Sequence, residues 1–173
     1  MATPLDVIPV FQRGGSILPL KFRVRRSSTQ MQRDPITLQI APDRTFKASG
    51  DLYLDDGKSF ANRKGDYLHR QFQFDKNVIR SAKAHLEEQT VPSTPSASLL
   101  SVTPNVERII VFNWQSKPSR IVVTSNTVKQ NISIDSQVQL QQVLDFDYDA
   151  KNKKLVIRKP NLSVAAEWEI QIL

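Results

Sequence analysis

Apolar residues recur along this chain in short runs with a period of two. Ile36, Leu38 and Ile40 alternate with Thr37 and Gln39. Leu52 and Leu54 share one side of a run whose other side carries Tyr53 and Asp55. Leu68, Phe72 and Phe74 share a side, with Arg70 breaking the pattern, and Glu167 to Ile172 alternates cleanly. Successive strand residues point to opposite faces, so each run predicts a half-buried β-strand. Ile109 to Phe112 is continuous and apolar, which predicts a core strand buried on both faces. Further strands are expected over Val78–Gln89 (locally helix-tolerant from Ser81), Arg120–Thr124, Val128–Ile134, Val138–Leu144 and Phe146–Asp149 with a return through Leu155–Ile157. Turn residues separate them at Pro42-Asp43, Asp55-Asp56-Gly57-Lys58, Asp75-Lys76-Asn77, Ser116–Ser119 and Pro160-Asn161. About ten to twelve short strands at 8–12-residue spacing, with no long helix, predict an all-β antiparallel sandwich.

The opening stretch follows the same logic. Val7, Ile8, Val10 and Phe11 form an apolar run, Gly14-Gly15 signals a turn, and Ile17-Leu18 resumes the run before Pro19. The expectation is a hairpin joined at Arg13-Gly14-Gly15. Lys21, Arg23 and Arg25 then alternate with Phe22 and Val24, which predicts a strand with one cationic and one apolar face. The cationic face is either a solvated edge that blocks aggregation or a contact with an acidic surface elsewhere. Asp34-Pro35 reads as a strand entrance and the likeliest boundary. The proline- and serine-rich stretch from Thr90 to Pro104 reads as a long mobile loop between strands, with a domain boundary as the alternative.

The 173 residues are 39% hydrophobic and 24% charged, enough for a core and against disorder. Lys and Arg outnumber Asp and Glu by 24 to 17, a net charge of +7, which raises the prior for an anionic partner. No nucleic-acid motif accompanies the early cluster Lys21, Arg23, Arg25, Arg26 and Arg33. No apolar run reaches the roughly 18 residues of a membrane helix, so neither nucleic acid nor membrane insertion is expected. The absence of cysteine excludes disulfides and thiolate metal sites. The N-terminus has no signal-peptide pattern and the C-terminus no retention tetrapeptide. We expect a C-terminal piece of a larger protein.

Candidate chemistry is sparse. Asp55 and Asp56 are adjacent, but neighbouring strand residues diverge and turn capping is the plainer role. Asp145, Asp147 and Asp149 have the spacing of the first calcium-loop ligands, yet Ala150 and Val156 stand where that loop needs glycine and glutamate. His69 and His85 lack any ligand-motif context, and no serine sits in a nucleophile elbow. No metal site and no cofactor are expected. Tyr53, Phe60 and Tyr67 are weak candidates for stacking on sugar, against the plainer reading of aromatics as core. Asn131-Ile-Ser133 and Asn161-Leu-Ser163 match the N-glycosylation sequon.

Several stretches, in order, carry a family resemblance. They are Val7–Pro19 with its Arg13-Gly14-Gly15, then Arg23-Val24-Arg25-Arg26-Ser27-Ser28, Asp34–Leu38, Gly50–Gly57, Leu155–Pro160 and Trp168-Glu169-Ile170. Together they resemble the region that follows the catalytic barrel in family 31 glycoside hydrolases, the α-glucosidases and their relatives. The Arg-rich and Arg158-Lys159-Pro160 pieces resemble the glucosidase II branch. The resemblance implies two successive β-sandwiches. Residues 1–33 would be the terminal strands of the proximal one plus a basic connection. Residues 34–173 would form the distal one, with a long loop near 90–104. It also implies that the catalytic aspartates lie upstream on the barrel, so that no residue here is catalytic and the chain alone is inactive. Arg13, Gly14, Gly15, Arg23, Arg25 and Arg26 become domain-interface candidates. The implied partners are the barrel of the same polypeptide and the accessory subunit of glucosidase II. The implied setting is the endoplasmic reticulum lumen, and the implied task is trimming terminal α-linked glucose from N-glycans by a retaining mechanism. The rival readings are a stand-alone glycan- or protein-binding module and, least supported, a basic nucleic-acid-binding domain.

Overall fold

The alternating runs do become strands. In a computed structural model, which describes residues 4, 6–84, 91–125 and 140–173, they are β1 (Ser16–Leu20), β2 (Ile36–Ala41), β3 (Lys47–Leu54), β4 (Leu68–Asp75) and β5 (Val78–Lys83). After a short helix α1 (Ala97–Val102) come β6 (Asn105–Phe112), β7 (Ile121–Ser125), β8 (Leu140–Val143), β9 (Phe146–Asp149), β10 (Lys154–Ser163) and β11 (Trp168–Ile172). The expected strand at Val128–Ile134, His85 and the sequon residue Asn131 lie outside the described residues.

Hydrogen bonding links all eleven strands in the order β8-β7-β11-β5-β4-β3-β1-β2-β6-β10-β9. The sheet curls so that both halves bury their inner sides in one cluster, consistent with an all-β sandwich domain. Phe72 and Phe74 of β4, Leu38 and Ile40 of β2, Ile109 and Val111 of β6, Leu155 and Ile157 of β10, and Ile170 of β11 are all buried there. Along β2 and β11 every second residue enters it, Ile36, Leu38 and Ile40 on one and Trp168, Ile170 and Ile172 on the other, as the period of two requires. The ladder is antiparallel except at two places. β2 runs parallel to β6, from Ile36↔Val106 to Ile40↔Val111, and β1 touches β3 through one parallel pair, Ser16↔Ser49.

β1 is the seam between the halves. It pairs with β2 over five residues, and Ile17 joins the common cluster. Gly50 makes the seam with β3 possible, because a Cβ there would lie 2.9 Å from the Ile17 carbonyl carbon and closer still to its oxygen. Gly15, at φ +87°, turns the chain into β1, its N–H donating to Ala41 O at 2.7 Å.

Four expectations change. The hairpin at Arg13-Gly14-Gly15 does not form: residues 7–13 are not a strand, and β1 pairs with β2 instead. Lys21 to Arg25 is likewise not a strand. In each case no neighbouring strand among the described residues offers its backbone groups, and β propensity without a partner forms no ladder. Ile110 and Phe112 are only half-buried, so β6 fills the core from one face rather than two. The described part of the Pro/Ser stretch contains the helix α1 and is hydrogen-bonded to the body. Tyr67 Oη donates to Val91 O at 2.7 Å, Ser93 Oγ to Tyr67 O at 2.5 Å, and Ser96 N–H to Asp66 Oδ1 at 2.7 Å. Ser96 Oγ also caps α1 by accepting from Leu99 N–H.

Candidate functional site: a latched opening segment

The interface candidates lie on the segment that flanks β1. Its cations turn inward. Lys21 Nζ donates to Met31 O at 2.8 Å and Gln32 O at 3.1 Å, and burial pushes its ammonium below the usual lysine range against the pull of Asp34. Arg23 reaches Glu107 of β6 at 3.2 Å. Arg25 grips the buried Asp34 with two nitrogens, at 2.7 and 2.9 Å, the fork-to-fork geometry that guanidinium and carboxylate favour. That hydrogen-bonded pair holds the Asp34 carboxyl below the ordinary range although burial opposes it. A turn of 3-10 helix at Ser28–Met31 carries the chain from Arg25 back to Asp34, whose N–H donates to Met31 O.

With Lys21, Arg23 and Arg25 drawn onto the body, the alternate side chains face out. Val24 is 98% exposed, and Phe22 is exposed as well. The polarity is the reverse of an ordinary surface strand, where apolar positions turn inward. Arg13 and Arg26 are exposed and have no ion-pair partner among the described residues. Gly14 lies against Pro42 O, and Gln12 Nε2 donates to Ser16 O and Gln39 O. The structure therefore gathers Arg13, Gly14 and Gly15 at the start of β1 and fastens Arg23 and Arg25 beyond its end.

The acidic clusters are structural. Asp55 Oδ1 accepts from Gly57 N–H at 2.9 Å. Asp56 accepts from the Ser59 hydroxyl and from the backbone N–H groups of Lys58 and Ser59, which hold it down to about 2. Asp147 pairs with Arg158 across β9 and β10, and Asp149 caps the following turn through Asn152. Among the described residues, every carboxyl group with a displaced acidity, Asp34, Asp43, Asp56 and Asp149, is displaced downward. A glycosidase general acid needs the opposite displacement. Among the described residues no three His, Asp or Glu side chains are grouped to hold a metal.

Of the aromatic candidates, Tyr67 is 5% exposed and stacked on Tyr53 at 5.3 Å, so its ring packs rather than presents a face. Tyr53 keeps an open side, and Phe60 is exposed with the Arg63 guanidinium over its ring at 4.4 Å. Asn161 is exposed, at a left-handed position within an irregularity of β10. Two of the hollows on the outside, among the described residues, adjoin the acidic groups described above. The larger, about 400 Å³, lies over Arg108, Ile110, Val156 and the Asp147–Arg158 pair. The smaller, about 230 Å³, lies between Lys21, Gln32 and the Asp55–Lys58 loop.

Sequence reasoning missed Arg70. It is 3% exposed on the inner side of β4, where its guanidinium donates to Ala166 O at 2.8 Å. Burial pushes it below the usual arginine range, offset by Glu167. Its break in the alternation of Leu68, Phe72 and Phe74 was the available signal.

No family model matches the chain. Individual proteins do. Neutral alpha-glucosidase AB of Dictyostelium discoideum is 40% identical over 172 residues, covering 98% of this chain and 16% of that protein. The human protein of the same name is 35% identical over 169 residues, covering 97% and 16%. The chain is homologous to a C-terminal region of family 31 α-glucosidases. It spans about one sixth of the length of the curated relatives it matches. Among solved structures, a glucosidase II alpha subunit bound to Glc1Man2 superposes with TM-score 0.77 at 30% identity, covering 98% of this chain and 18% of that one. An ER glucosidase II heterodimer of the catalytic subunit with the binding domain of the regulatory subunit gives 0.74 at 31%. A Flavobacterium johnsoniae family 31 dextranase gives 0.59 at 18%, a likeness of fold.

Proposed function

We propose that this chain is the non-catalytic C-terminal support of a family 31 α-glucosidase of the glucosidase II type. The observation that carries the reading is a full-length match to one sixth of such enzymes, in a region whose Asp55, Asp56, Asp147 and Asp149 carboxylates are spent on turns and an ion pair. Its work is to hold the catalytic barrel of the same polypeptide, with the junction at the opening segment around Arg13-Gly14-Gly15 and Arg23, Arg25 and Arg26. The parent enzyme removes terminal α-linked glucose from N-glycans in the endoplasmic reticulum lumen, with an accessory subunit as partner. The glucosidase II names and the heterodimer support this setting. In such a lumen Asn161 is an available glycosylation acceptor.

The test is hydrolysis of a chromogenic α-glucoside by the 173-residue chain and by the enzyme extended upstream through its barrel. Activity in the extended enzyme alone is the expected result. Turnover by the short chain would overturn the reading.

A further inference from the structure

We propose that the larger hollow, on the outer side of β6, β9 and β10, is a binding site for an acidic sugar, a sugar ring that bears a phosphate or carboxylate group. Arg108 receives the anionic group, and Ile110 and Val156 carry the ring. The site is separate from the opening segment, and it stands whether or not the chain supports a barrel.

Three observations carry it. The first is an unbalanced charge. Arg108 and Arg158 stand directly opposite each other in the β6–β10 ladder, both exposed on its outer side. Like charges so placed repel each other. Asp147 answers Arg158, whose Nε and Nη2 both meet its Oδ2. Lys154, at the other end of the hollow, stands opposite Asp149. Arg108 has no ion pair among the described residues. Its guanidinium fork matches a phosphate or a carboxylate.

The second observation is the floor. Ile110 and Val156 pair across the same ladder, two residues along from the arginines on the same side, and both are half-buried. Two residues of a strand advance about 7 Å. An anionic group held by Arg108 therefore sets the body attached to it over an apolar floor. The space above that floor, about 400 Å³, falls in the range of small-ligand sites. The third observation is the wall. Asp147 Oδ1 accepts nothing among the described residues, and an ionised carboxylate can only accept. A ligand beside it is favoured if it brings donors. Hydroxyl groups at the edge of a ring, C–H groups on its face and one anionic substituent match the wall, the floor and Arg108 together.

The experiment is a titration of the isotope-labelled 173-residue chain at constant ionic strength, read by backbone amide shifts. Glucose 6-phosphate, glucuronate, glucose and inorganic phosphate are added in separate series. The expected result is saturable shifts centred on Arg108, Ile110 and Val156 with at least one of the two acidic sugars, at concentrations about tenfold below those that glucose or inorganic phosphate requires. Arg108→Gln should weaken that binding about tenfold. It should leave the unfolding midpoint in place, because Arg108 is exposed and its removal relieves the repulsion with Arg158. Lys117→Gln, in the turn after β6, removes the same charge elsewhere and should change nothing. Equal affinity for inorganic phosphate would overturn the proposal, since the ring would then contribute nothing. Equal affinity for glucose would overturn it from the other side. So would equal weakening by Lys117→Gln, which would report the net charge of the chain rather than this hollow, or the lack of saturable shifts there with either acidic sugar.

Discussion

Ile8 and Ile17 are the same residue type, nine positions apart, in equally β-like surroundings. Ile17 is 2% exposed and Ile8 is 88% exposed. The difference is the neighbour. Ile17 sits on β1, which has β2 on one side and β3 on the other, and its side chain enters a cluster fed by both halves of the sheet. Ile8 has no strand beside it among the described residues. Hydrophobicity supplies the drive to bury, but an extended segment buries only where its backbone groups are also paired. β1 meets both conditions, and the opening segment, among the described residues, meets neither.

The sharpest test of that contrast is truncation at the two isoleucines. In the 173-residue chain, Ile17→Ala should cost about 2–4 kcal/mol, as for other fully buried isoleucines. Ile8→Ala should change stability by no more than about 0.5 kcal/mol. Urea unfolding reads both. A comparable loss at Ile8 would mean that the opening segment finds a packing partner without the rest of the enzyme.

The seam itself gives the next effect. A Cβ on Gly50 would overlap the backbone of Ile17, which has no rotamer to change. Gly50→Ala should cost about 1–3 kcal/mol through overpacking. The loss should be local: the amides of β1 should exchange faster, while those of β10 opposite β6 keep their protection. Uniform loss of protection would show that β1 is no separate seam but part of the general core.

This contrast also marks what was legible in the sequence. The strands of the body could be read, because Ile36-Leu38-Ile40 or Trp168-Ile170-Ile172 alternate on a sheet with one buried side and local pattern matches global placement. The fold class and the resemblance followed. The opening strands were misread, since Val7–Phe11 has the composition of a strand and composition does not say whether a partner is present. The orientation of the basic run was hidden for a related reason. Lys21, Arg23 and Arg25 alternate with Phe22 and Val24 whichever side faces in. Only the positions of Glu107, 84 residues away from Arg23, and of Asp34 decide it. The parallel pairing of β2 with β6 and the buried Arg70 are long-range facts of the same kind. The turn roles of Asp55 and Asp56 were legible because the N–H groups that donate to them are two or three residues off.

Acid should act on the latch through Asp34. Asp34 has its carboxyl acidity lowered in the folded chain, first by the hydrogen bond from Arg25. A depressed folded value means stabilisation that is full above the unfolded carboxylate value, near 3.8, and is lost as pH falls through the lower folded value. Thermal unfolding followed from pH 6 downward should therefore stay level until about pH 4 and then decline. In Asp34→Asn the same scan should start lower and decline less steeply over that window. A variant curve that falls in parallel with the parent's would show that Arg25 and Asp34 contribute nothing to the acid loss.

The smallest effect comes from an ion pair in the body, and it separates two uses of arginine. Arg80 Nε lies 2.7 Å from Glu169 Oε2, directly across β5 and β11. Both side chains are about half exposed, 50% and 44%. Water therefore competes for each group and salt screens their attraction, so Arg80→Ala should cost about 0.5 kcal/mol or less. That cost should vanish near 1 M salt, where charges interact over only about 3 Å. The Arg25–Asp34 pair has similar distances, but the Asp34 side chain is 4% exposed. Removing its partner strands a buried carboxylate, which salt does not reach. Arg25→Ala should thus remain measurable in 1 M salt when Arg80→Ala does not. If both losses disappear together, the latch is an ordinary surface pair, and the outward face of Phe22 and Val24 is held by nothing firmer than the chain around it.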